Sequence, residues 1–261
     1  MYNKIKVILT EGRETVKKAV LAGLLIIALL VSSAGIVFAA APADSKGPPE
    51  LGQIIFIHYG RDLAPARPDK SGKPGTENPI DHYELSKLML KNTANYYINP
   101  SGGGVTDSDA ISAVITSFET WDSVTAKELF NYGGPTGASG VVFDMQNTVS
   151  WALITDSNII AVTSLWYIPG KPPKEIVEFD VVFNTNYPWG IDPVKEDSST
   201  IDAFDIQNIA THEAGHVVGL NDLYEDAYSV LTMYGYGSEG ETIKCSLESG
   251  DILGTQKLYG P

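Results

Sequence analysis

The sequence predicts an α+β fold, and three observations carry that expectation. Several short runs between Tyr96 and Phe183 have strand character; in the clearest, 175 to 183, Val177, Phe179, Val181 and Phe183 alternate with Glu178, Asp180 and Val182, as on a strand with two faces. Among these runs Ile111, Val114, Ile115, Phe118 and Trp121 recur at helical spacing, an apolar stripe suited to lie on a sheet. A second helix is expected through THEAGHVV, where glycine follows the last turn. Apolar faces of this kind permit more than one α+β architecture.

Taken in order, the first fifty residues read as a targeting or processing region outside the fold. Lys4, Lys6, Arg13, Lys17 and Lys18 make a basic start, no charge occurs from Ala19 to Ala43, and Val37-Phe38-Ala39 offers a small-residue cleavage site. Residues 1–39 are therefore expected to be a signal peptide and the protein to be secreted. The alternative is a retained membrane anchor, since about 20 apolar residues span a bilayer. Residues 40–92 read as an N-terminal extension or a short propeptide-like segment, with a strand in LGQIIFIHY and a loop in RPDKSGKPGTENP. From Asn95 the order is a short strand at Tyr96 to Ile98, a helix capped by Thr106 or Asp107, and strands near 128–132, 149–154, 159–167 and 175–183. A long helix starting at Ser199 or Asp202 then carries His212, and a last helix is expected near 247–259.

The charge balance narrows the partners. The formal net charge is −14, and removal of the basic start makes the remainder more acidic still. Such a surface repels phosphates, so no nucleic-acid partner is expected. A single cysteine, Cys245, excludes an intrachain disulfide, and stability must come from an apolar core. Asp192, Glu196 and Asp197 are loop carboxylates of the kind that gather around calcium, although no calcium loop motif is present.

The chemistry lies in THEAGHVVGLND. His212 and His216 are four residues apart with Glu213 beside the first, the H-E-x-x-H pattern. On a helix of about 3.6 residues per turn, both imidazoles share a face and can point at one ion while Glu213 leans over the ion's open side. Gly219 supplies a left-handed stop, after which Asp222 can return toward the metal. His212, His216 and Asp222 would then give zinc three protein ligands and leave one position for water, the arrangement of a catalytic site. Glu225 and Asp226 are reserve carboxylates for the third ligand. His58 and His82, the other histidines, read as packing or surface residues.

These residues resemble the metzincin metallopeptidases, whose motif is H-E-x-x-H-x-x-G-x-x-H followed by a methionine turn; Asp222 stands at the third histidine. Within that group LESGDILGTQKLYGP looks like the end of a matrixin, and the resemblance covers residues 93–261. It implies a twisted, mostly parallel five-stranded sheet with two long helices above a cleft. It also implies a small C-terminal subdomain holding Asp222, a Met-turn at Met233 and the final helix. Protein or peptide substrates are implied, paired along the edge strand near 159–166. No tyrosine ligand is implied, because Gly235 occupies the position two after the methionine. Cysteine-switch latency is not supported, because no cysteine precedes the motif.

The expected function is that of a secreted zinc metalloendopeptidase. Zinc lowers the pKa of water to about 7, Glu213 acts as general base, and the proton passes to the departing amine. A different class is an exported zinc-binding or adhesive domain without turnover. Glu213 argues against it, since structural zinc is usually closed by four protein ligands. A thermolysin-like arrangement with a downstream glutamate ligand is weakened by Gly219 and Asp222. Oligomeric state is not legible.

Overall fold

The computed structural model describes residues 6–9, 50–61, 78–193 and 201–261. Of residues 1–39, expected to be a signal peptide, only those of the strand Lys6–Leu9 are described, and Glu196 and Asp197 lie outside the described residues. The strands are β1 (Lys6–Leu9), β2 (Gly52–Gly60), β3 (Leu88–Met89) and β4 (Ala94–Asn99). Helix α1 (Asp107–Asp122) follows, then β5 (Phe130–Pro135), β6 (Asn147–Ala152), β7 (Ile159–Tyr167) and β8 (Lys174–Asn184). A short parallel ribbon of β9 (Trp189–Gly190) and β10 (Phe204–Asp205) leads into α2 (Ile206–Val218), and β11 (Tyr236–Gly237) and α3 (Ser249–Tyr259) complete the chain.

The main sheet runs β1-β2-β7-β8-β6-β4-β5. Within it β5, β4, β6 and β8 are mutually parallel and β7 is antiparallel to β8, which is the mostly parallel five-stranded sheet that was expected. The chain adds to it: β2 pairs antiparallel with β7 along nearly its whole length, and β1 and β11 both pair parallel with β2. Ile98, Val149 and Val181 stand side by side on one face of the central strands, with Phe183 next along β8, all fully buried; the opposite face carries Asn99, Thr148, Ser150 and Asp180, which are buried as well.

Helix α1 begins where Thr106 accepts a hydrogen bond from the backbone N–H of Asp109. Its buried face is Ala110, Ala113, Val114, Ser117, Phe118 and Trp121, with Ile111 and Ile115 only partly covered. The face is turned from the apolar stripe toward small residues, which let α1 approach α2. Ser117 Oγ donates to the carbonyl of Gln207 at 3.1 Å and Trp121 Nε1 to that of Thr211 at 2.9 Å. On the sheet side Phe118 stacks on Tyr96, with ring centroids 4.4 Å apart.

Helix α2 starts later than the sequence suggests. Its N-cap is Asp205, whose carboxylate accepts from the N–H of Asn208 at 2.8 Å, and the residues just before it are drawn into the β9–β10 ribbon instead. It ends as expected at Gly219, with φ 115°; a Cβ there would lie 2.4 Å from the carbonyl oxygen of Leu88. Helix α3 is closed by a reciprocal capping box of Glu248 and Asp251. Its Tyr259 hydroxyl donates to the carbonyl of Val218 at 2.7 Å, tying the chain's end to the last turn of α2.

Candidate metal centre

The site is built on α2 and on the return of the chain after Gly219. His212 and His216 lie on one face, with rings in edge contact at a centroid distance of 4.8 Å. Each is aimed by its other nitrogen, His212 Nδ1 to the carbonyl of Thr232 at 2.7 Å and His216 Nδ1 to that of Leu220 at 3.0 Å. Such backbone partners fix the ring so that Nε2 faces the site. The turn brings Asp222 back, and its Oδ1 stands 3.2 Å from His212 Nε2 and 3.4 Å from His216 Nε2. Its Oδ2 accepts a hydrogen bond from the Tyr224 hydroxyl at 2.8 Å.

Beneath the helix, Met233 fills the space left by Gly215. A Cβ on Gly215 would lie 2.2 Å from the Met233 sulfur and 2.7 Å from the Trp121 ring. Met233 and Thr232 both donate their backbone N–H to Asp251 at the start of α3. The methionine is thus a packing element, and its turn also supplies the carbonyl that aims His212.

The three aimed atoms fit an ion. His212 Nε2, His216 Nε2 and Asp222 Oδ1 are buried and lack a hydrogen-bond partner, although buried polar atoms are nearly always paired. Ligands bonded at 2.0–2.1 Å at tetrahedral corners stand about 3.3 Å apart, which matches their 3.2 and 3.4 Å approaches. Two imidazoles and one carboxylate suit zinc, and the three atoms lie within 4.8 Å of one another. Glu225 and Asp226 are exposed, and Asp226 instead accepts from the Tyr234 hydroxyl.

Glu213 lies beside this focus, fully buried. Thr163 Oγ1 on β7 donates to its Oε2 at 2.6 Å, and His58 Nδ1 on β2 stands 3.2 Å from its Oε1. Burial pushes the Glu213 carboxyl upward against the pull of the two neighbouring imidazoles. Burial takes His212 down to about 4. For His216 burial also acts downward, but the Asp222 carboxylate outweighs it and the net shift is upward. Asp222 is pushed up by burial and pulled down harder by the imidazoles, ending well below its ordinary value.

The sequence reads His58 as a packing or surface residue, and the structure makes it a packing residue. It is not a surface group: it is fully buried, its ring lies 4.0 Å from that of His212, and burial lowers it to about 3. The available signal was parity, since His58 shares the buried face of its strand with Ile54 and Phe56. His82, by contrast, is half-buried and stacks on Tyr228. The Cys245 thiol donates to Asp205 Oδ1 at 3.5 Å. Asp192 is buried, with its N–H donating to Asp205.

Comparison with known proteins adds one match. The sequence model of one family, described as Matrixin, matches residues 89–260, which takes in both helices of the site, the Met233 turn and the closing helix. No curated protein matches the chain at a significant level.

Proposed function

The chain belongs to the matrixin family of zinc metallopeptidases, and from that premise we propose that it is a secreted endopeptidase with a catalytic domain at residues 93–261. Zinc is held by His212, His216 and Asp222. Residues 1–39 are its export signal. The observation that carries this reading is the convergence of three buried, partnerless donor atoms with a buried carboxylate at their side.

When bound, zinc supplies Lewis acidity, making a water molecule acidic near neutral pH and polarising the scissile carbonyl. The chain's own residues do the rest. Glu213 takes the proton from the attacking water and delivers it to the departing amine. Thr163 holds one carboxylate oxygen and so orients the other. Thr232, Leu220 and Tyr224 keep the ligating atoms in place. A site with three protein ligands serves catalysis, which a closed structural site would not.

The test is hydrolysis of casein by the zinc-loaded chain after a single cut at a protease sequence inserted between residues 62 and 77. The reading expects cleavage that EDTA abolishes, that added zinc restores and that Glu213→Gln lacks. A zinc-loaded chain whose cleavage of casein is unaffected by Glu213→Gln would overturn it.

A further inference from the structure

The edge of β7 is where an extended peptide substrate would pair, and it is already taken. From Gly52 against Tyr167 to His58 against Ala161, β2 runs antiparallel along that edge. On its other side Tyr59 and Gly60 pair in parallel with Tyr236 and Gly237 of β11, and the N–H of Arg61 donates to the Gly237 carbonyl at 2.9 Å. A segment of this chain therefore lies between two walls, satisfied by main-chain bonds as in strand addition.

Its side chains are fitted to the metal helix. Every second residue faces inward, and Ile54, Phe56 and His58 are buried. The Phe56 ring stacks on that of His216 at 4.0 Å and 11°, and the His58 ring covers His212 at 4.0 Å. Gly237 makes room for it, since a Cβ there would lie 3.1 Å from His58 Nε2. With Thr163 on one oxygen of Glu213 and His58 beside the other, each carboxylate oxygen already has a neighbour from a strand of this chain. The metal-facing residues His212, Glu213 and His216 have no exposed surface.

We propose that Gly52–Gly60 is an intramolecular occupant of the substrate cleft, which keeps the chain latent by strand addition to β7 with Phe56 on His216 and His58 on Glu213. The inference rests on the peptidase reading. No cysteine takes part. Because His58 engages the general base, the strand is held rather than cut. The same imprint describes the segment that the freed cleft accepts, an extended peptide with a flat ring placed over His216.

The test uses the full chain with a site-specific protease sequence inserted between residues 62 and 77. Three readouts are taken before and after that single cut. They are hydrogen exchange of the 53–59 amides in the metal-free chain, binding of a fluorescent peptide hydroxamate to the zinc-loaded chain, and casein hydrolysis. Cutting is expected to deprotect those amides and to raise hydroxamate affinity and hydrolysis at least about tenfold. An added peptide of residues 52–60 should reverse the gain, and one with aspartate in place of Phe56 should not. In the uncut chain, Phe56→Asp should raise both activities in the same direction. Equal hydroxamate binding in the uncut, cut and Phe56→Asp chains would overturn the proposal, as would loss of fold or zinc on cutting. Hydroxamate binding gained without hydrolysis of any peptide would uphold the strand's role and overturn the peptidase reading instead.

Discussion

His212 Nε2, His216 Nε2 and Asp222 Oδ1 are buried with one another as near neighbours, at 3.2 and 3.4 Å, a grouping that a bound cation would satisfy. Their assignment leads to three predictions. Glu213→Gln is expected to keep its zinc while kcat falls about 10²–10⁴-fold; turnover within twofold of the parent would remove Glu213 from its role. Tyr224→Phe deletes the donor that steadies Asp222 and should weaken zinc binding about 10–100-fold, measured by competition with a chromogenic chelator. The third concerns pH. Zinc requires neutral imidazoles, and His216 is raised above its ordinary 6.5. Protons therefore compete with zinc as pH falls through neutrality, whereas His212 at about 4 stays neutral there. Affinity should be clearly weaker at about pH 6 than at about pH 8; a flat profile across that window would show that the His216 imidazole is not held above its ordinary value. At this scale the motif was legible because His212, Glu213 and His216 are set by local helical spacing. His58 was not, since its contact with Glu213 joins residues 155 apart in sequence.

Helix α2 works because both of its flanks are fixed from elsewhere in the chain. Trp121 of α1 holds the carbonyl of Thr211 from one side, Met233 packs under Gly215, and Tyr259 of α3 holds the carbonyl of Val218. Gly215→Ala should therefore overpack the contact and destabilise the metal-free protein by about 1–3 kcal/mol, read from urea unfolding; an unchanged midpoint would show that the Met233 contact yields freely. The end of α2 could be read from the sequence because Gly219 meets a requirement for positive φ. Its start could not, because Ser199 and Asp202 are capping residues by type, while Asp205 is chosen by the pairing of β10 with β9, which local sequence does not encode.

On the scale of the whole molecule, individual strands followed from alternating runs such as Val177 to Phe183, whose period of two is intrinsic to a strand, while the five-stranded sheet was implied only by the family resemblance. The place of β2 did not follow. LGQIIFIHY reads as a strand on its own, but nothing local says that it pairs with residues 159–167 and closes over the metal helix. Zinc binds the folded site in preference to the unfolded chain, because His212, His216 and Asp222 converge only once α2 and the turn after Gly219 are formed. Binding should therefore stabilise the whole domain, by about 2.7 kcal/mol when free zinc is 100 times its Kd. Zinc K-edge X-ray absorption on the purified full chain tests the central claim most directly. The account predicts one zinc per chain with two imidazole nitrogens and carboxylate oxygen at about 2.0–2.1 Å. A sulfur ligand, a first shell with only one imidazole, or a chain that takes up no zinc would contradict it.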